Sequence, residues 1–349
     1  MYSTPNLKNY AASAALTILV GCSGAMGEQS LVPAAQSRTV MQPQTALHPQ
    51  RSVRRHPHKK AAALYVYVSN RTVQGSSELL VYPAGTPNPA PVRTVKKNLI
   101  DAGGIAVDSS GNVYVANGTG GNVMEYGPGG TPLIETYSQG LANPSDVAVS
   151  DGTLYVADRG NAANGYIQQV MEFPVGSGTP SLGVAGIGSS PMLNEGIGID
   201  PKGSTGTFVA SASTLTMIPF SGGCNASSDV VGNEIFPTLW AIVPLSQNVQ
   251  APGVAFDANG NLYASDPCSN DIAIYSDATK TWTYTGKVHG TFSVPLFLTI
   301  DGQFLAVPSE GSTLSLNPGY VTVIDLSGNT STLTITNGLD HPVGAAVGL

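Results

Sequence analysis

The chain has 349 residues, of which 42% are hydrophobic and 11% charged, enough apolar content to bury at least one large core. Its 41 glycines and 25 prolines follow no three-residue period, which excludes collagen and favours a turn-rich β protein. No apolar run reaches the roughly 18 residues of a spanning helix, so a multi-pass membrane protein is excluded.

Residues 1–22 have the pattern of an export signal. Lys8 precedes an apolar stretch of about ten residues, as in a secretory signal, and the segment ends in Leu-Val-Gly-Cys. This end resembles the lipobox of bacterial lipoproteins, which implies acylation of Cys22 and a membrane anchor. The alternative is an ordinary signal peptide with a chance cysteine. By the same resemblance, Ser23 favours the outer membrane, with the protein facing the periplasm or the exterior.

Residues 23–62 are rich in Gln, Pro, Ser and Ala and carry six Lys or Arg against one Glu. We interpret them as a disordered basic linker, which is either a solvated spacer or a contact for anionic head groups or cell-wall polymer. Residues 63–349 hold eight Lys or Arg against 21 Asp or Glu. This acidic balance argues against nucleic-acid binding.

An internal repeat organises residues 63–349. In its best copy, Gly104-Ile-Ala-Val-Asp is followed by Ser-Ser-Gly-Asn and then by Val-Tyr-Val-Ala-Asn117. Two alternating apolar runs around such a turn predict a β-hairpin. Two further strands follow in each copy, and four strands in 42 to 57 residues are typical of one propeller blade. The first apolar residues of the copies are 105, 147, 197, 254 and 298.

The two ends of the repeat region complement each other. Residues 63–70 and 78–82 have the pattern of second and third strands whose first strand is missing, whereas 341–349 has that of a first strand with nothing after it. We therefore predict an all-β, six-bladed β-propeller with four-stranded blades, in which the C-terminal strand joins the N-terminal blade and closes the ring. The protein is expected to be a monomer.

The repeated Gly-x-Ala-Val-Asp-x-x-Gly-Asn-Val-Tyr-Val-Ala-Asp pattern resembles the NHL-repeat propellers over about 290 residues. This resemblance implies the propeller fold. It implies no single function, because such propellers include peptide, RNA and protein binders as well as lyases and hydrolases.

Polar side chains concentrate where second strands end and first strands begin, at the end of the channel that we call the mouth. The Asp or Asn that closes a second strand either lines the mouth or caps local backbone groups. Carboxylate and amide oxygens in a narrow opening are also possible Ca²⁺ ligands. The predicted ligand-binding residues are Asp101, Asn117, Asp146, Asp158, Glu195, Asp266, Asp340 and His341.

Two enzymatic alternatives rest on resemblance. Glu195-Gly196, which opens a first strand, resembles the Glu-Gly start that supplies a metal ligand in gluconolactonase propellers. This implies a Ca²⁺-dependent lactonase or hydrolase in which Glu195 is a metal ligand. The other ligands of that family have no matching motif here; if a metal is bound, we expect Glu195, Asp158 and Asp266 to hold it. A virginiamycin B lyase type of activity needs a His and Glu pair on adjacent repeats, and only His289 and His341 lie in the propeller region.

No nucleophile elbow, zinc-protease helix or phosphate-binding loop is present, so no catalytic residue is assigned. Two cysteines in an exported chain are typical of a disulfide, but the strand count places Cys224 and Cys268 on opposite faces of the ring, which argues against one; both alternatives stay open. The sequence favours an exported binding or scaffolding module, anchored to the membrane through Cys22, with a protein, peptide or glycan ligand and no obligatory cofactor.

Overall fold

The computed structural model describes residues 64–72, 75–161, 163, 169–185, 193–201, 208–213, 229–233, 240–244, 253–267, 269–277, 282–311 and 318–348. The predicted signal, the linker, Cys22, Cys224 and Cys268 lie outside these residues. In the described part of the chain, no helix is long and apolar enough to cross a membrane.

Within the described residues, 24 β-strands pair into six four-stranded antiparallel sheets. Sheet 1 contains β1 (Tyr65–Arg71), β2 (Ser77–Pro83), β3 (Arg93–Val95) and β24 (His341–Gly348). Sheet 2 contains β4 (Ala102–Val107), β5 (Val113–Asn117), β6 (Asn122–Tyr126) and β7 (Leu133–Tyr137). Sheet 3 contains β8 (Pro144–Ser150), β9 (Thr153–Asp158), β10 (Gln169–Pro174) and β11 (Leu182–Ala185).

The remaining strands form three further sheets in chain order. Sheet 4 contains β12 (Leu193–Ile199), β13 (Phe208–Ser213), β14 (Asp229–Asn233) and β15 (Trp240–Pro244). Sheet 5 contains β16 (Val254–Phe256), β17 (Leu262–Asp266), β18 (Asp271–Asp277) and β19 (Trp282–Lys287). Sheet 6 contains β20 (Thr299–Asp301), β21 (Phe304–Ser309), β22 (Tyr320–Asp325) and β23 (Thr330–Ile335).

The repeated hairpin forms through a local carboxylate. Oδ1 of Asp108 accepts hydrogen bonds from the backbone N–H groups of Ser110 and Asn112, both at 2.8 Å. Gly111 adopts a φ of +84°, which glycine tolerates without steric cost. The turn Asp-x-x-Gly-Asn therefore closes on its own residues, which is why alternation and turn composition were sufficient to predict it.

The first strands of the sheets lie around a common channel. Each first strand contacts that of the next sheet, in the order β24, β4, β8, β12, β16, β20 and back to β24. The last strand, β24, pairs antiparallel with β1 from Gly348 opposite Tyr65 to His341 opposite Arg71. The first strand of sheet 1 thus comes from the C-terminal end of the chain.

The hydrophobic core lies between neighbouring sheets. Tyr67 and Leu79 of sheet 1, for example, pack against Ile105 and Met124 of sheet 2. Around the channel the first strands approach closely, and a Cβ at Gly103 would overlap the backbone carbonyl of Ser145. Glycine at this position allows the first strands of sheets 2 and 3 to make contact.

Candidate functional site at the channel mouth

Four charged or titratable side chains meet at the mouth, and we call them the mouth cluster. Arg71 ends β1, Asp101 directly precedes β4, Glu310 directly follows β21 and His341 begins β24. Arg71 and His341 are paired across the β1–β24 ladder. The cluster therefore combines residues from sheets 1, 2 and 6.

Arg71 and Asp101 form an ion pair that connects sheets 1 and 2. Nη2 of Arg71 lies 2.7 Å from Oδ1 of Asp101, and the two side chains are 37% and 31% exposed. A pair with this exposure contributes at most about 1 kcal/mol to stability. Its main consequence is to orient the guanidinium over the mouth.

Glu310 is the most perturbed carboxylate of the cluster. Burial raises its pKa, whereas the electrostatic effects of Arg71 and His341 oppose that rise. The net direction is upward because removing a carboxylate from water disfavours the charged form more than these two neighbours favour it. A carboxyl group in this environment exchanges protons closer to neutral pH than an ordinary glutamate.

Two nitrogen atoms of the cluster are buried without a hydrogen-bond partner in the described part of the chain. They are Nε of Arg71 and Nδ1 of His341. A buried polar atom without a partner costs roughly 1–3 kcal/mol. A ligand that pairs with these nitrogens therefore gains binding free energy that an already satisfied surface does not offer.

The asparagine or aspartate that closes a second strand holds the loop that leads into the first strand of the same sheet. Oδ1 of Asn117 accepts from the N–H of Ile100 at 2.8 Å and of Asp101 at 3.3 Å. Oδ1 of Asn70 accepts from the N–H of Asp340 at 3.0 Å and of His341 at 3.1 Å. These two amides thus place two members of the mouth cluster.

Asp158 has the same role in sheet 3. Its carboxylate accepts from the N–H groups of Ala142 at 2.9 Å, Asn143 at 2.7 Å and Gly160 at 3.0 Å, and from the side chain of Gln169 at 2.9 Å. The side chain is fully buried. Of the two predicted roles, the contacts of Asn117 and Asp158 are those of backbone caps.

Asp146 and Asp266 are also buried. Asp146 accepts from the N–H of Val147 at 2.8 Å and of Ile197 at 3.0 Å, so it connects the first strands of sheets 3 and 4. Oδ1 of Asp266 accepts from the N–H of Ser269 at 3.3 Å. Of the eight residues predicted for the mouth, Asp101 and His341 lie in the cluster, and half-buried Asp340 precedes His341.

Glu195 lies in β12, but its side chain is outside the described part of the structure. Among the described residues, no group of three His, Cys, Asp or Glu side chains is arranged to hold a metal ion. The predicted Ca²⁺ set of Glu195, Asp158 and Asp266 therefore stays a prediction. The four donors on Asp158 already occupy the lone pairs that a metal would need.

Sequence reasoning did not select Arg71 and Glu310. Arg71 ends β1 and Glu310 directly follows β21, at the repeat position where sheets 2, 3 and 5 carry Gly118, Arg159 and Pro267. Because sheet 3 also has a charged residue here, the residue type at this position does not single out Arg71 and Glu310. The ion pair with Asp101 itself depends on the approach of sheets 1 and 2.

A family model described as NHL repeat matches residues 141–163, a segment that contains β8 and β9. No curated protein matches the chain. A chain in the crystal structure of a nidogen/laminin complex matches with a TM-score of 0.56 and 16% identity, over 82% of this chain and 98% of that chain. A protein of unknown function from Bacteroides caccae matches with a TM-score of 0.59 and 11% identity, over 82% and 99%. These likenesses confirm the predicted all-β propeller fold and carry no information on activity.

Proposed function

We propose that this chain, which is an NHL-like β-propeller, is a binding module of the bacterial cell envelope with its ligand site at the mouth cluster. The observation that carries the proposal is the convergence of half-buried Glu310, Nε of Arg71 and Nδ1 of His341 on one end of the channel. Partly buried polar groups without protein partners are typical of sites that select a ligand by hydrogen bonding.

The architecture that we infer for this module is a single closed ring in which the six sheets are the blades. The pairing of β24 with β1 and the contacts between successive first strands support this arrangement. In such a ring, β24 and β1 come from opposite ends of the propeller region and are hydrogen-bonded to each other. Neither strand can detach without breaking these backbone hydrogen bonds, so the pairing holds the mouth cluster rigidly.

The cellular setting comes from the sequence signals at the N-terminus. We propose that the protein is exported, anchored through acylated Cys22, and held by the basic linker 23–62 in front of the outer membrane. A propeller in that position meets proteins, peptides and glycans. Their amide and hydroxyl groups can accept a hydrogen bond from Arg71 and donate one to Glu310.

The proposal is tested with thermal melts of the full chain in detergent, against muropeptides, chitin oligosaccharides and short peptides. A ligand that binds only the folded state raises Tm, by the equivalent of about 2.7 kcal/mol at 100 times its Kd. We expect the shift to be lost in Glu310→Gln and Arg71→Gln and kept in Lys97→Gln, an exposed cation that is not part of the mouth cluster. A ligand that shifts all variants equally binds elsewhere and overturns the proposal.

A second candidate is a lyase, favoured by the electrostatic contact between Glu310 of sheet 6 and His341 of sheet 1. Two titratable groups on adjacent sheets are the arrangement that proton removal and proton return require. Elimination opens a cyclic ester without changing its mass, whereas a lactonase adds one water. Chromatography and mass spectrometry of a macrolactone such as virginiamycin B, incubated with wild type and His341→Gln, therefore separate the lyase, the lactonase and the pure binding module.

A further inference from the structure

A groove runs along the outer side of sheets 1 and 2, and we call it the side groove. Sheet 1 ends in β3 and sheet 2 ends in β7, so both strands lie away from the channel. Residues 93–98 line the groove from sheet 1 and its following loop, and β6, β7 and the turn between them line it from sheet 2. Its volume is about 490 Å³, within the roughly 300–1,000 Å³ of ligand-binding clefts.

The groove forms because the outer strand of sheet 1 is short. β3 has three residues, whereas β7 of sheet 2 has five. β3 therefore covers only part of the neighbouring sheet, and Leu133 at the start of β7 stays 45% exposed. Met124 and Tyr126 belong to the core between the two sheets and form the floor of the groove. More of the open groove surface is apolar than polar, so a ligand here can remove apolar surface from water.

Exposed apolar side chains are concentrated near the side groove. Among the described residues, six large hydrophobic side chains are exposed, and four of them lie within residues 92–134. These four line the groove or lie within two residues of one that does: Val92, Ile100, Leu133 and Ile134. Exposed apolar surface with a polar rim is typical of an interaction site.

The groove also carries positive charge in an otherwise acidic part of the chain. Residues 63–349 hold eight Lys or Arg, and three of them line the groove: Arg93, Lys96 and Lys97. Residues 79–100 contain no Asp or Glu. Because charges are screened beyond about 8 Å at physiological ionic strength, this local excess of cations acts on a ligand in the groove despite the net negative charge elsewhere.

Two of the three cations are held in place, but only one of them is neutralised. Nζ of Lys96 lies 3.2 Å from Oε2 of Glu78. Nη1 of Arg93 donates to the backbone carbonyl of Gly129, which fixes the guanidinium against the β6–β7 turn without cancelling its charge. Lys97 is exposed and forms no ion pair with the residues that the structure describes. Arg93 and Lys97 are therefore available to an anionic ligand.

We propose that the side groove binds an extended acidic peptide segment of a partner protein, with an apolar side chain against Leu133 and carboxylates on Arg93 and Lys97. A small inorganic anion would leave the apolar surface unused. Sugar hydroxyl groups need hydrogen bonds when they are buried, which the apolar floor does not offer. The other acidic surfaces of the domain repel such a peptide, so its charge directs it to this groove.

The test uses the full chain in detergent with the peptide acetyl-Asp-Glu-Leu-Glu-Asp-amide as the probe, followed by ligand-observed NMR titration. We expect this peptide to bind wild type at least about fivefold more tightly than the double variant Arg93→Gln/Lys97→Gln, which removes two exposed ion pairs together. Lys287→Gln is the matched control, because Lys287 is also an exposed lysine but lies in sheet 5. The neutral peptide acetyl-Asn-Gln-Leu-Gln-Asn-amide should bind all three proteins equally weakly.

A second comparison isolates the apolar contact. The peptide acetyl-Asp-Glu-Ser-Glu-Asp-amide should bind wild type at least about threefold more weakly than the leucine peptide, because it buries less apolar surface. In Leu133→Ser, a change at an exposed side chain, the two acidic peptides should bind equally. Equal binding of both peptides to wild type would make the groove a general anion site and overturn the proposal, as would polygalacturonate that displaces the leucine peptide from wild type and Leu133→Ser alike.

The proposal is also overturned if the leucine peptide does not bind wild type or binds the double variant equally well. Glu310→Gln in the mouth cluster should leave peptide binding unchanged, and a loss there would place the peptide at the mouth instead of the groove. None of the groove substitutions alters the mouth cluster. Failure of this proposal is therefore distinguishable from failure of the proposed function.

Discussion

The side chain of Asn70 accepts a hydrogen bond from the backbone N–H of His341, which lies 271 residues further along the chain, at 3.1 Å. This contact connects the end of β1 with the start of β24. It therefore supports the joining of the two chain ends in sheet 1 and also places a member of the mouth cluster. Stability and site geometry are coupled through this one amide.

We expect Asn70→Ala to lower the free energy of unfolding by about 1–3 kcal/mol. The substitution removes the side-chain acceptor of the partly buried N–H groups of Asp340 and His341, and losing the partner of a buried donor costs roughly that amount. Urea unfolding of the variant, with exposed Thr94→Ala as the control, measures the effect. A variant as stable as wild type would show that the loop finds other partners.

Glu310→Gln should stabilise the protein at neutral pH and reduce the pH dependence of Tm. The pKa of Glu310 is raised in the folded state, so the folded protein binds more protons than the unfolded chain between the ordinary glutamate pKa and the raised value. Stability due to this group therefore falls as pH rises through that window.

Melts of wild type and Glu310→Gln from pH 4 upward, roughly, test this prediction, with Glu135→Gln on the outer strand β7 as the control. The two curves should converge at the acidic end, where wild-type Glu310 is protonated in both states. Parallel curves throughout the range would mean that Arg71 and His341 fully compensate the burial of the carboxylate.

Gly103→Ala should destabilise the protein by about 1–3 kcal/mol, the usual cost of overpacking. The added methyl group overlaps the carbonyl of Ser145, which belongs to the backbone of sheet 3 and cannot rotate away. Gly85→Ala is the matched control, since nothing lies within 4 Å of its added Cβ. Chemical denaturation of both variants should show a loss for Gly103→Ala alone.

Addition of EDTA should leave Tm unchanged. The carboxylate of Asp158 already accepts four hydrogen bonds, and displacing them would cost a metal site part of its affinity. If Ca²⁺ raises Tm and Glu195→Gln removes the rise, a metal-dependent lactonase is better supported than a binding module. A Ca²⁺ effect that persists in Glu195→Gln would instead point to a different metal site.

The hairpins were predictable from sequence because their determinants are local. Asp108 and the N–H groups that it accepts from lie within four residues, so the turn composition and the flanking alternation specify the same structure. The pattern also identified residues 341–349 as a first strand without a sheet of its own, and β24 is found beside β1.

The mouth cluster was only half predictable. Asp101 and His341 were selected because they lie where first strands begin, whereas Arg71 and Glu310 occupy a repeat position that is charged in some sheets and uncharged in others. Asn117 and Asp158 were predicted either to line the mouth or to cap backbone, and their contacts are those of caps. The sequence could not decide between these two roles, because the answer depends on which loop lies within hydrogen-bond distance of each side chain.

The sequence by itself determined the repeated hairpin, the all-β class and the strand that each chain end contributes, because hydrogen bonds between near neighbours and side-chain alternation act locally. The tertiary structure decided which charges meet. Glu310 faces Arg71 across 239 positions of the chain, and Asp146 reaches the N–H of Ile197 in the next sheet. Such contacts arise from the packing of sheets around the channel, which no local pattern encodes.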